Sequence, residues 1–563
     1  MDHPRYPIAI FSVSLLVSVG LTVHMLPVLP RPWTMVLYGW VLYRFTRLFV
    51  CLLAWQRWTR IETHTVSAEE YPETGLLLGN GFPWTGDQVK VLFDYLHAYK
   101  ALPQIESERG GIAALQAVGK ASPIVLPESA LNSHVAIEGS TRSGKTNLLG
   151  TIASQLIHQD QGAVVVVDPK GSPHLLHQVQ RAAARLDRPF ARICPYLPHL
   201  SCLYNPLSSC REPVELVARL APLFEKGREP FWRDQPLGVV QRVAAMHQAL
   251  GMLPYHLLDI CHTTLDQVRL RSILARYLYY LGGPFNRVNE LSPPTVGRLR
   301  EAYEALHIRN PIVQQTLTDI ETSKARWDEI NGNLAVALSG IIDGPFATLF
   351  DGDDALTWEQ IDREKMVVVL QTHSLSTREM GRKIGKLFLQ DFQGYIGHRY
   401  ASGELACLAP IHLIIDEMGE MIYDDFTGAI NKIGEASARL FMGWQTEADL
   451  DSEIGIQRAK VVRANVKTRL FLRIDDAETA QHLSRSCGTC TIPQRQSESM
   501  SHTYASNQSA SSQARIHVIE QEVPLIQPSW LASLPQGECF ARIQGQLYKL
   551  AIPLPEDDLS CDS

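Results

Sequence analysis

Two kinds of apolar pattern divide the chain. Short, continuous apolar runs ending in small or polar residues recur at 134–138 (HVAIE), 163–168 (AVVVVD), 366–371 (MVVVLQ), 411–416 (IHLIID) and 440–444 (LFMGW). Runs of this length without alternation, bounded by turn residues, are what strands buried on both faces look like, as in a parallel sheet. A shorter run, PFARICPY (189–196), and residues 468–474 predict two further strands, and ECFARIQGQLYKLAIP (538–553) reads as a closing hairpin. From 212 to 339 the period changes to that of helices, in VELVARLAPLF, LGVVQRVAAMHQAL, LRSILARYLYYL and GRLREAYEAL, with no convincing strand. The pattern therefore predicts an α/β domain interrupted by an all-α insertion.

The first sixty residues follow a third pattern. Ile8 to Val28 is apolar over about the length that spans a bilayer, with His24 its one titratable residue. LPRPW (29–33) breaks the run, and a second apolar stretch from Trp33 to Trp55 carries Arg44 and Arg47, which are expensive in hydrocarbon. A sparse n-region and the lack of a small-residue cleavage site argue against a signal peptide and for an anchor of one or two transmembrane helices. Arg47 near the end of the second stretch and Arg57 and Arg60 just after it form a basic cluster, which by the positive-inside rule puts the bulk of the chain in the cytoplasm. The expected layout is an anchor over 1–60, a linker and lead-in unit over 61–130, a nucleotide-binding domain over 131–211 and 340–555, the all-α insertion over 212–339, and an acidic tail over 556–563. Residues 496–513 are Ser-rich and nearly free of large apolar side chains, so a mobile loop is expected there.

Composition changes this picture little. A net charge of −7 over 563 residues leaves no global basic field, so contact with nucleic acid would need a local patch or the lumen of an oligomer. The 10 cysteines are scattered, which suits a reducing compartment, and Cys487-Gly-Thr-Cys490 is a lone pair better read as ordinary thiols than as a metal site.

Candidate chemistry changes it more. Residues 139–146 read GSTRSGKT, with Gly139, Ser140, Thr141, Arg142, Ser143, Gly144, Lys145 and Thr146 between a strand and a helix start. That spacing lets backbone N–H groups close around a phosphate at a helix N-terminus, with Lys145 reaching the β/γ oxygens and Thr146 holding Mg²⁺, so ATP and Mg²⁺ are the expected cofactors. Such a loop needs a carboxylate for the metal. Asp416 supplies one at the carboxyl end of its strand, and the adjacent Glu417 can orient or deprotonate the attacking water. Gln445, at the tip of the next strand, is placed to bond the γ-phosphate or the water. Asp168 and Lys170 end a strand on the same sheet edge, as either a structural ion pair or catalytic groups.

An N-terminal anchor, GSTRSGKT, DPKGS after a valine strand, an all-α insertion, IIDE and a strand-tip glutamine occur here in one order. In that order the chain resembles the type IV coupling proteins of bacterial conjugation, relatives of the FtsK and HerA translocases. LLLGNGFPW (76–84) and RAKVVRANVKTRLFLRIDDAETAQHL (458–483) look more particularly like the TraD proteins of integrating conjugative elements. The resemblance implies a RecA-like P-loop NTPase fold, a homo-hexameric ring in the bacterial inner membrane, and ATP-driven transfer of single- or double-stranded DNA. It implies as partners a relaxase with its relaxosome proteins and the components of a type IV secretion channel. Relatives commonly carry Gly-Arg-Lys before the strand that ends in the glutamine, and that arginine can act across the subunit boundary. Here the region reads Ile433-Gly434-Glu435-Ala436, so the expected trans-acting residue shifts to Arg439, with Arg473 second. A chromosome translocase of FtsK type fits less well, since such proteins usually carry more spans and a long linker. An ATP-dependent scaffold that recruits protein substrates and moves no DNA remains open.

Overall fold

The computed structural model describes residues 39–46, 49, 65–99, 102, 110–224, 230–285, 293–350, 352, 354–373, 377–403, 409–501 and 512–555. Its strands are, in chain order, β1 (Thr65–Val66), β2 (Leu76–Pro83), β3 (Ser122–Leu126), β4 (Val135–Glu138), β5 (Ala163–Asp168), β6 (Phe190–Ile193), β7 (Val367–Gln371) and β8 (Ile411–Ile415). They continue with β9 (Ala438–Trp444), β10 (Thr468–Phe471), β11 (Thr489–Ser501), β12 (Ser512–Pro524), β13 (Glu538–Ile543), β14 (Gln546–Ala551) and β15 (Leu554–Pro555). The described residues fall into two compact units, one drawn from 1–130, 137–151 and 467–563, the other from 131–136 and 152–466.

The second unit holds the parallel strands, in the order β9-β8-β5-β7-β6. The four valines of β5 are fully buried, with β8 on one side and β7 on the other, so both faces and both edges lie inside protein. That is why no polar residue interrupts the run until Asp168. Helices make the crossovers that parallel strands require: Pro173–Arg185 after β5, Arg378–Ala401 between β7 and β8, and Phe426–Glu435 between β8 and β9.

Between β6 and β7 lies the all-α insertion, with Phe231–Ala249 its longest helix. Local sequence starts several of these helices. Asn310 accepts N–H bonds from Ile312 and Val313 ahead of Pro311, and Thr295, Ser323 and Asp266 cap their helices in the same way. One buried polar cluster ties the start of the insertion to the helix Arg378–Ala401. Asp391, fully buried, accepts from Tyr204 Oη at 2.6 Å and from Ser209 Oγ at 2.5 Å, and pairs with Arg219.

The first unit holds an antiparallel run of strands in the order β3-β2-β14-β13-β10, with the short β1 and β15 paired parallel. This explains the LLLGNGFPW patch: it is a sheet strand, and its glycines let β2 run against β14. A Cβ at Gly81 would lie 2.1 Å from the Lys549 carbonyl oxygen, and one at Gly79, with φ of +145°, 2.2 Å from that of Ala551. Trp84 then enters the core, edge-on to Phe540 at 4.9 Å and to Trp530 at 5.9 Å, with its Nε1 donating to Leu525 O at 2.8 Å. The lead-in segment is therefore packed with the C-terminal strands, because β2 finds its hydrogen-bond partner in β14.

Two expectations meet the structure differently. The ends of the Ser-rich stretch are strand, not loop: β11 and β12 pair antiparallel from Thr489↔Pro524 to Ser501↔Ser512. Serine is compatible with a ladder held by backbone hydrogen bonds, which composition alone does not register; residues 502–511 lie outside the described residues. The expected anchor also lies outside them apart from 39–46 and 49, as does the acidic tail. Among the described residues no helix is long and apolar enough to cross a membrane.

Candidate functional site

β4 ends at Glu138 and the GSTRSGKT loop begins at Gly139, with the helix Lys145–Gln159 following directly. The loop is pinned from its own side. Ser140 N donates to Arg473 O and its Oγ accepts from Asp475 N, both at 2.8 Å, while Gly537 N donates to Ser143 O at 3.2 Å. Two glycines are required by geometry. A Cβ at Gly139 would sit 2.9 Å from Leu472 Cβ and 2.6 Å from Ser143 Oγ, and Gly144 has φ of +103°. Arg142 also adopts a left-handed conformation, with φ of +60°. Lys145 is buried to 5 % exposure at the first position of its helix. Beneath the loop, Arg469 donates from Nε to Glu138 Oε1 at 2.8 Å, and its Nη2 lies 2.6 Å from the same oxygen.

In the second unit, the carboxyl ends of β5, β8 and β9 bring together Asp168, Lys170, Asp416, Glu417 and Gln445. The β5–β8 register pairs Val167 with Ile415, so Asp168 and Asp416 follow side by side. Both are buried. Burial and the neighbouring Asp416 charge raise the pKa of Asp168, against hydrogen bonds from Ser172, Gln371 and Gly171. Glu417 holds a left-handed backbone, with φ of +72°, and its Oε1 accepts from Lys170 Nζ at 2.5 Å and from Gln445 Nε2 at 3.0 Å. Burial alone would lower the Lys170 pKa, but the charges of Asp416, Glu417 and Asp168 outweigh it and hold the ammonium above its ordinary value. Gln445 is fixed at its backbone, where its N–H donates to Asp449 Oδ2 at 2.9 Å.

Asp416 offers a hard divalent cation a buried carboxylate, whereas the oxygens of Asp168 are taken up by N–H donors of its own turn and of Gln371. Among the described residues no three His, Cys, Asp or Glu side chains group as a protein-only metal cage. Mg²⁺ does not need one, since it is commonly held by one or two carboxylates together with phosphate oxygens.

The arginines resolve into different surroundings. Arg439 lies at the amino end of β9, opposite the strand end that carries Gln445. It is 8 % exposed, pairs in register with His412 and donates to Asn132 Oδ1 at 3.3 Å. An arginine acting on a neighbouring subunit would first have to leave that pocket. Arg473 is partly exposed beside the phosphate loop of its own chain, 3.5 Å from Asp475. Gly434 is set by packing, since a Cβ there would fall 2.6 Å from Asn132 O, and Glu435 accepts from Tyr400 Oη at 3.1 Å.

Sequence reasoning missed two second-unit residues, Gln371 and His373. Gln371 donates to Asp168 Oδ2 at 3.3 Å and accepts from Arg192 at 3.1 Å. His373 lies against Gly171, where a Cβ would fall 2.6 Å from the ring. QTH at a strand end was the available signal, but glutamine and histidine at strand ends are too common to single out.

Two family models match the sequence: the TraM recognition site of TraD and TraG over residues 410–536, and the central domain of helicase HerA over 118–172. Among solved structures, the bacterial conjugative coupling protein TrwBdeltaN70 in its unbound monoclinic form is similar at 15 % identity, covering 77 % of this chain and 87 % of that one, with a TM-score of 0.50. Its trigonal form in complex with sulphate gives 14 %, 89 %, 94 % and 0.51. At such identity what is shared is the α/β fold with its mostly parallel sheet. No curated protein matches.

Proposed function

We propose that this chain is a type IV coupling protein, a reading that its two family matches and its fold support, and that it works as an ATP-driven DNA translocase. It links a relaxase–DNA complex to a type IV secretion channel, acting as a membrane-anchored homo-hexamer of the bacterial inner membrane with its bulk in the cytoplasm. The observation that carries the enzymatic part is the convergence of Lys170 and Gln445 on Glu417 beside two buried aspartates, in a chain that also holds a formed phosphate loop.

The chain's residues divide the work. Amide groups of Gly139, Ser140, Thr141, Arg142, Ser143 and Gly144 surround the phosphates, and Lys145 neutralises the β/γ oxygens. Thr146 and Asp416 are the residues that would hold Mg²⁺, which when bound neutralises charge on the phosphate oxygens. Glu417 accepts the proton of the attacking water. Gln445 orients that water or the γ-phosphate. Catalysis of this kind is mostly positioning and charge stabilisation, which a set of fixed strand ends can supply. The match to a TraM recognition site favours residues 410–536 as the part that meets relaxosome proteins.

ATP turnover of the purified full-length protein, measured with and without single- and double-stranded DNA, tests the reading. A pump's turnover rises with DNA. Turnover indifferent to both would replace the pump with the protein-recruiting scaffold.

A further inference from the structure

We propose that Lys170 is a positioning residue for hydrolysis, its ammonium holding the Glu417 carboxylate where it receives the water proton. The inference rests on the reading of Glu417 as that proton acceptor. In the step concerned, the water oxygen bonds to the γ-phosphorus, the bond to the β,γ-bridging oxygen breaks, ADP leaves with that electron pair, and the proton passes to Glu417.

Three strand ends meet on one oxygen. Lys170 comes from the turn after β5, Glu417 from the end of β8 and Gln445 from the end of β9, and both cationic and amide donors bond Oε1 of Glu417. Neither end of the ion pair is presented loosely. The turn carrying Lys170 is folded around Asp168, whose Oδ1 accepts from Lys170 N at 3.1 Å and Gly171 N at 3.0 Å, and whose Oδ2 accepts from Ser172 N at 2.5 Å. Glu417 follows β8 in a left-handed conformation that few non-glycine residues adopt.

Magnitudes separate positioning from mere stabilisation. The Lys170 side chain is 39 % exposed, and an ion pair with one partner so exposed adds little to folding stability. A carboxylate allowed to rotate out of line, in contrast, loses rate through geometry, by as much as about 100-fold for a displacement near 1 Å. Removing Lys170 therefore acts on turnover and hardly on stability.

The test uses full-length protein carrying Lys170→Ala, Lys170→Arg, Glu417→Gln and the Lys170→Ala/Glu417→Gln pair, with kcat and KM for ATP, binding of a fluorescent ATP analogue, and Tm. Lys170→Ala is expected to lower kcat roughly 10- to 100-fold. Nucleotide affinity and KM should stay within about twofold, as for a residue acting only on the chemical step. Lys170→Arg should recover most of the loss, and the double variant should be no slower than Glu417→Gln alone, because Lys170 acts through that carboxylate. Wild-type kcat in Lys170→Ala, or losses that multiply in the double variant, would overturn the proposal. Wild-type kcat in Glu417→Gln would instead remove the reading of Glu417 on which it stands.

Discussion

Replacing Arg469 by methionine isolates what holds the phosphate loop from beneath. Glu138 is fully buried and Arg469 nearly so, its side chain 6 % exposed. Methionine keeps most of the stem's volume but takes the Arg469 guanidinium away from the buried Glu138 carboxylate. Breaking a buried pair from one side typically costs about 3–5 kcal/mol, because the remaining charge keeps its desolvation penalty. With a urea dependence of about 2–3 kcal/mol/M, the unfolding midpoint should fall by roughly 1–2 M. Trp84 and Trp530 lie in the core of the first unit and Trp358 and Trp444 in that of the other, so tryptophan fluorescence and circular dichroism together follow the transition. Since Glu138 directly precedes Gly139, nucleotide affinity should fall with stability. The double variant Glu138→Leu/Arg469→Met removes the stranded charge and should recover most of the midpoint, as apolar replacements of buried pairs often do. A loss for Arg469→Met below about 1 kcal/mol, the range of an exposed pair, or a double variant no better than the single one, would show that the pair does not hold the first unit together.

Gly81→Ala places a methyl against the Lys549 carbonyl, 2.1 Å from its oxygen, and should destabilise the β2–β14 pairing by about 1–3 kcal/mol, read as a lowered Tm; an unchanged Tm would contradict that packing. His412 is fully buried, and burial with the charges of Arg439 and Arg188 lowers its pKa from 6.5 to about 3. The unfolded chain therefore binds the proton first, and the stability this neutral imidazole confers is present above pH 6.5 and lost as pH falls toward 3. Between pH 7 and pH 5 that loss is about 2 kcal/mol. His412→Leu should flatten the pH dependence of the urea midpoint by that amount, and an identical slope in both proteins would contradict it. Full-length protein should fractionate with membranes and require detergent, and deleting residues 1–60 should release it; recovery of the full-length chain from the cytosol without detergent would contradict the anchor.

Features written locally in the sequence were legible in it. Four valines between a helix and DPKG specify a doubly buried parallel strand, and β5 is one; the helical period of 212–339 gives the insertion its helices. The strand, loop and helix start around residues 139–146 were legible because that spacing is written in consecutive residues. Long-range pairing was not. Nothing in LLLGNGFPW names β14 as its partner, since the reason for Gly79 and Gly81 is the backbone of residues 549 and 551, more than 450 positions away. The Ser-rich strands were hidden for a related reason: β11 and β12 are held by backbone groups, and composition reports only side chains. At the site, Asp416, Glu417 and Gln445 were recognisable from their strand-end positions, whereas the Lys170–Glu417 contact joins residues 247 apart and shows only in three dimensions. Arg439 illustrates the converse. Its place near a family arginine was legible, but its burial against Asn132 was not.

Whether the phosphate loop and the strand-end carboxylate serve one hydrolytic reaction is tested most directly by measuring ATP binding and ATP turnover together in wild-type, Lys145→Ala and Glu417→Gln proteins. Lys145→Ala should lose turnover altogether. Glu417→Gln should bind ATP with unchanged affinity while turnover falls by about 100-fold or more, the effect of removing a positioned base. Near-normal turnover in Lys145→Ala, or a Glu417→Gln protein that loses binding and keeps its rate per bound nucleotide, would contradict it.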